Sequence, residues 1–145
     1  MADCRNTGET EWTLNGRHTG VTDINLTDAG RQQVLSSASA FVGEGCLIRP
    51  QKIAQVYISP RTRAQVTAGL LLGVERLEGY RAAGKVETTE ELAEWGYGMY
   101  EGWFPKQIRE DRKSRGLDTE RGWDVWRDGC EDGPAEGENA GLKGE

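Results

Sequence analysis

The stretch Ile53-Ala54-Gln55-Val56-Tyr57-Ile58-Ser59-Pro60-Arg61-Thr62-Arg63-Ala64 decides the fold. Its first half is short, mostly apolar and rich in β-formers. That predicts a strand over Ile53–Ile58, buried on both faces. Ser59-Pro60 then turns the chain. Pro60 suits the first position of a helix and Ser59 suits its cap, so a helix is expected from about Arg61 to Leu72. A strand that feeds a helix is the elementary unit of an α/β fold.

Towards the N-terminus, Thr27 is a suitable cap for a helix through about Phe41, with Val34, Leu35, Ala38 and Phe41 on one face. Gly43 and Gly45 end it. Residues 1–25 hold the breakers Asn6-Thr7-Gly8, Asn15-Gly16 and Thr19-Gly20, and read as loop. Towards the C-terminus, Lys85–Thr88 predicts a brief second strand. Trp95 to Trp103 is aromatic and Gly-rich, hence irregular. Pro105 opens a third helix through about Arg115, which Gly116 stops. Trp123 to Arg127 forms at most one more turn. From Gly129 onward Gly, Glu, Asp and Pro dominate, which predicts an acidic disordered tail over residues 129–145. The order helix, strand, helix, strand, helix points to one α/β domain over residues 5–128.

Composition narrows the class. The chain has 145 residues, of which 36% are apolar, with five Trp and four Tyr. These large side chains need a core, so wholesale disorder is excluded. The net charge of −6 argues against a nucleic acid or an anionic membrane as partner. That acidity belongs to the C-terminal stretch, where Asp128, Glu131, Asp132, Glu136, Glu138 and Glu145 face one base, Lys143. The body is near neutral and holds enough Arg to bind phosphate. No apolar run reaches the roughly 18 residues of a membrane span. Met1 to Arg5 resembles no signal peptide. Cys4, Cys46 and Cys130 are far apart and odd in number, so reduced thiols in a cytoplasmic protein are expected, with no metal site.

Three features combine into one candidate anion site. Arg5 to Thr10 is a Gly-containing turn that opens on an Arg. Ser59 to Ala64 places Arg61 and Arg63 in the first turn of a helix, where free amides and a planar guanidinium both favour phosphate. Glu94 lies among Trp95, Tyr97 and Tyr100, and a carboxylate beside aromatic surface can serve as general acid. Each part has an ordinary alternative: solvated arginines, a surface Glu and a core aromatic cluster. His18 sits in a Gly-rich loop and is expected to be exposed. Spacing alone leaves a phosphate-binding α/β protein.

The combination is more specific. Arg5-Asn6-Thr7-Gly8-Glu9-Thr10-Glu11-Trp12 resembles the Arg-His-Gly-Glu-Thr-Glu-Trp signature of the histidine phosphatase (phosphoglycerate mutase-like) superfamily. Arg17-His18-Thr19-Gly20, then Thr22 to Thr27 and Gly30, resemble its continuation. Ser59 to Ala64 resembles the second phosphate-binding stretch, and Leu92 to Gly102 the third. Residues 112–118 and 123–133 are similar to the fungal sedoheptulose-1,7-bisphosphatase branch. The resemblance implies a three-layer α/β/α fold and a phosphomonoesterase of sugar bisphosphates. It implies a His nucleophile that becomes phosphohistidine, with two Arg and a second His holding the phosphoryl oxygens. On these positions it assigns phosphate or substrate binding to Arg5, Thr19, Gly20, Arg63 and Tyr97, and proton donation to Glu94. It implies no metal or cofactor, because the cationic side chains supply the positive charge.

The chain departs from that pattern at the nucleophile. Asn6 or Thr7 fills the His position, depending on where one inserted residue is placed. Asn is not nucleophilic at phosphorus, and Thr7 has no evident activating base. His18 aligns with a substrate-side loop. The second His and the N-terminal central strand have no counterpart, so the domain is expected to be partial and truncated at both ends. Its exposed sheet edges favour self-association. The sequence therefore leaves three functions open: a sugar phosphatase that is inactive as written, a non-catalytic phospholigand-binding pseudoenzyme, or a truncated product without function.

Overall fold

The computed structural model describes residues 8–117 and 120–130. Their elements in chain order are α1 (Glu11–Asn15), α2 (Asp28–Phe41), β1 (Val56–Ile58), α3 (Thr62–Leu72), α4 (Val74–Ala82), β2 (Val86–Thr88), α5 (Pro105–Ser114) and α6 (Val125–Asp128). They fall into two compact units. Of the described residues, the first holds 8–14 and 23–93, the second 15–22, 94–117 and 120–130.

In the first unit β1 and β2 run parallel, with Val56 opposite Val86 and Ile58 opposite Thr88. Parallel neighbours need a long crossover, and α3 and α4 supply it. Gly73 separates these helices at φ +86°, a left-handed conformation that side chains resist. Ile58, Leu72 and Leu77 form the buried centre, with Ile53, Val56, Ala64, Ala68 and Val86 packed around them. The α/β class is thus as expected, but the strand is shorter than Ile53–Ile58, and Tyr57 is 57% exposed. One face of β1 is open, not buried.

Helix α2 begins as its sequence predicts. The Thr27 hydroxyl accepts from the Gly30 amide at 2.9 Å, a side-chain cap that satisfies a first-turn donor. Its buried face is Gly30 and Val34. Leu35 and Phe41, expected beside Val34, are exposed instead. Gly30 is buried because Glu9 crosses it: a Cβ at residue 30 would meet the Glu9 carbonyl oxygen at 2.3 Å. The Thr27 amide donates to that same carbonyl at 2.9 Å. Helix α1 is a short helix in a region that reads as loop; at its start the Thr10 amide donates to Thr13 Oγ1 at 2.8 Å and the Thr13 amide to Thr10 Oγ1 at 3.2 Å.

In the second unit Tyr97, Tyr100 and Ile108 are buried, with Trp95, Trp103, Trp123, Val125 and Cys130 against them. Helix α5 starts at Pro105, whose missing amide costs nothing at that position, and Gln107 accepts from the Phe104 amide at 2.9 Å. Ile108 and Arg112, one turn apart, form its buried face. Gly129 and Cys130, the first residues of the expected tail, join this unit: Trp123 Nε1 donates to the Gly129 carbonyl at 2.8 Å. Residues 131–145 lie outside the described residues. Among the described residues, no helix is long and apolar enough to cross a membrane.

Candidate functional site

Arg5, Asn6 and Thr7 lie outside the described residues, so the candidate site is described from Gly8 onward. In the first unit the Gly8 amide donates to Thr67 Oγ1 on α3 at 3.4 Å. The first signature segment therefore meets α3 one turn beyond the second, where the Thr67 hydroxyl donates to the Arg63 carbonyl at 2.8 Å. A Cβ at residue 8 would lie 2.7 Å from the Gly30 carbonyl oxygen, so the turn needs glycine for close approach.

Arg63 lies in the first turn of α3 and is buried, with 9% exposure. The cap of this helix corrects the sequence expectation. Arg61, not Ser59, occupies the cap position and makes no side-chain cap bond. The Asp23 carboxylate caps the helix from outside: Oδ1 accepts the Thr62 amide at 2.8 Å and Oδ2 accepts the Thr62 hydroxyl. At least one first-turn amide expected to be free for phosphate is therefore occupied by a carboxylate. The Thr62 hydroxyl, chiefly, holds the Asp23 carboxyl below its usual range, and Arg63 and Arg61 add to this. Asp23 was not singled out from sequence, because its partner lies 39 residues away.

The second unit brings Thr19, Gly20, Glu94 and Tyr97 into one body. Gly20 is buried against the third segment, and a Cβ there would sit 2.0 Å from the Trp95 carbonyl oxygen. Thr19 is half-buried. Its neighbour His18 pairs its backbone with the same segment: its amide donates to the Trp103 carbonyl at 3.1 Å, and its carbonyl accepts from Gly102 at 2.9 Å. Arg17 Nη1 donates to the Gly102 carbonyl at 2.9 Å.

His18 is half-buried, not exposed. Its ring lies 4.8 Å from that of Tyr97 and 5.8 Å from that of Trp123. This burial pushes its pKa down, and the nearby Glu101 carboxylate opposes the shift. Tyr97 is buried at 8% exposure, and desolvation pushes its phenol up to about 12. The neighbouring Trp95 offsets part of that, while Glu94 adds to the rise. Tyr97 is therefore a neutral donor at ordinary pH. Glu94 itself is exposed.

Glu101 was not singled out either. Its Oε1 accepts the Gly20 amide at 2.9 Å and the Thr22 amide at 3.0 Å, and its Oε2 accepts the Tyr97 amide at 3.3 Å. The signal for it is the third segment itself, where an acid stands between Tyr100 and Gly102. Among the described residues, no group of three or more His, Cys, Asp or Glu is placed to hold a metal.

The sequence pattern of the histidine phosphatase superfamily (branch 1) matches residues 7–139. The sedoheptulose 1,7-bisphosphatase of Saccharomyces cerevisiae is 44% identical over 126 residues, covering 87% of this chain and 46% of that protein. An acid phosphatase of Mycobacterium tuberculosis is 42% identical over 123 residues, covering 85% of this chain and 49% of that protein. A solved structure of an open reading frame from Mycobacterium tuberculosis superimposes with a TM-score of 0.61 at 36% identity, covering 88% of this chain and 54% of that one. The chain spans about half the length of the curated relatives it matches.

Proposed function

The chain belongs to the histidine phosphatase superfamily, and from that membership we propose that it derives from a phosphomonoesterase of sugar bisphosphates, such as sedoheptulose 1,7-bisphosphate, and does not turn over as written. The 44% identity to the yeast enzyme over most of this chain carries the substrate class. In this reading Arg63 and Arg5 hold the phosphoryl oxygens. Arg63 suits that work because its fork is held in the first turn of α3 and largely withdrawn from solvent, which strengthens a bidentate contact. Thr19, Gly20 and the neutral Tyr97 form the substrate side. Glu94, exposed and close enough to raise the Tyr97 pKa, is the proton donor to the leaving oxygen.

Inactivity rests on residues 6 and 7. A phosphoenzyme needs an attacking imidazole there, and the chain has Asn6 and Thr7. Its single histidine, His18, is packed between Tyr97 and Trp123. Removing a nucleophile costs a hydrolase several orders of magnitude in rate. Phosphate release from sedoheptulose 1,7-bisphosphate should stay at the buffer background. Release above it that disappears in Glu94→Gln would overturn the proposal.

Buried Arg63 also favours a second reading, a phospholigand-binding protein without catalysis. Calorimetry should then give saturable phosphosugar binding that weakens about tenfold or more in Arg63→Ala. A flat titration at millimolar ligand would sink it.

A further inference from the structure

Glu101 joins two stretches that are far apart in sequence. One carboxylate accepts the amides of Gly20 and Thr22, 81 and 79 residues away, together with that of Tyr97. No side chain is needed on the partner loop, so the contact fixes the path of the main chain. Gly20 makes it feasible: any larger residue would collide with the Trp95 carbonyl oxygen before its amide reached Glu101. The backbone pairing of His18 with Gly102 and Trp103 closes the other side of the same joint.

We infer that Glu101 is the positioning residue that holds the Thr19–Gly20 loop beside Tyr97, and so sets the shape of the substrate side of the site. It touches backbone rather than substrate. Three amide donors onto one ionised acceptor form charge-assisted bonds in a half-buried setting, where they are stronger than neutral pairs. Glutamate suits the task because both oxygens accept. A glutamine in its place would present one oxygen and one NH2 to these three donors, and the NH2 would face an N–H. The inference rests on the reading of Thr19, Gly20 and Tyr97 as the substrate side.

The test compares the full chain with Glu101→Gln by amide hydrogen exchange, and by calorimetric titration with sedoheptulose 1,7-bisphosphate. Ile108→Val serves as a control that loosens the same unit without removing any of the Glu101 hydrogen bonds. In Glu101→Gln, exchange at Gly20 and Thr22 should accelerate about tenfold or more, and binding should weaken by a similar factor. Ile108→Val should leave both unchanged at these positions. Should Glu101→Gln fail to fold, Glu101→Asp is read the same way, since it keeps the charge but withdraws it by one methylene. Unchanged exchange at Gly20 and Thr22 overturns the inference. So does accelerated exchange with unchanged binding. Absence of binding by the unaltered chain overturns the reading of the site as a phosphosugar pocket, and the exchange comparison then decides the role of Glu101 alone.

Discussion

Gly20 lies so close to Trp95 that a Cβ on residue 20 would stand 2.0 Å from the Trp95 carbonyl oxygen. The obstructing atom is backbone, so no rotamer change relieves it. Gly20→Ala should therefore destabilise the second unit by about 3 kcal/mol, the upper end of overpacking costs. Urea denaturation followed by Trp fluorescence measures this. A midpoint equal to that of the unaltered protein would contradict the close approach.

The opposite sign is expected at Gly79. It lies inside α4 with nothing within 4 Å of an added Cβ, and its φ is ordinary for a helix. Gly79→Ala should raise stability by about 0.5–1 kcal/mol, because alanine loses less backbone entropy on folding. A destabilised variant would mean that α4 is not the helix described.

His18 gives a pH prediction with a defined sign. Burial lowers its folded pKa below the ordinary 6.5, so the unfolded chain binds the proton more readily. Stability should fall as pH drops below 6.5 and level off beneath the folded pKa. The chain has one histidine, so its ring signal in a proton–carbon NMR titration is unambiguous. A folded-state midpoint at or above 6.5 would contradict the packing against Tyr97 and Trp123.

Asp23 behaves in the reverse way. Its folded pKa is depressed, chiefly by the Thr62 hydroxyl, so its contribution is present above the ordinary carboxyl pKa of 3.8 and lost as pH falls through the folded value. The group is exposed, so solvent limits the effect to that of a helix cap, about 1 kcal/mol or less. Asp23→Asn should lower the urea midpoint at pH 7 and match the unaltered protein at the acid end. An equal loss at both pH values would remove the charge from the argument.

Cys130 should be a poor nucleophile while the protein is folded. Burial pushes its thiol up to about 11 from 9, leaving about a hundredfold less thiolate at pH 8. Peptide mapping after brief alkylation should show Cys130 modified slowly in buffer and rapidly in urea. Equal rates would place it outside the aromatic cluster.

How much of this was legible in the sequence differs from residue to residue. Thr27 and Gly30 carry local signals, a cap and its first turn, and α2 begins where they say. Helix α3 was legible too, but its cap was not, because Asp23 reaches Thr62 across the fold rather than along the chain. Helix α4 has little apolar periodicity beyond Val74, Leu77 and Tyr80, so its pattern did not stand out. Leu35 matched the buried stripe of α2 by spacing, yet Gly30 and Val34 are the buried residues of that helix. His18 read as exposed because its loop is Gly-rich. It is half-buried because the aromatic side chains of a remote segment close over it. Glu101 is the same case: its role depends on partners about eighty residues away, which no local pattern encodes.

Residues 6 and 7 carry no imidazole and the single histidine is packed between Tyr97 and Trp123, so the chain should form no phosphohistidine. The direct measurement is to incubate the purified full chain with sedoheptulose 1,7-bisphosphate labelled in its phosphates, quench in alkali and assay the protein for acid-labile, alkali-stable phosphate. No labelled protein is expected. Stoichiometric phosphohistidine, located at His18 by peptide mapping, would contradict it.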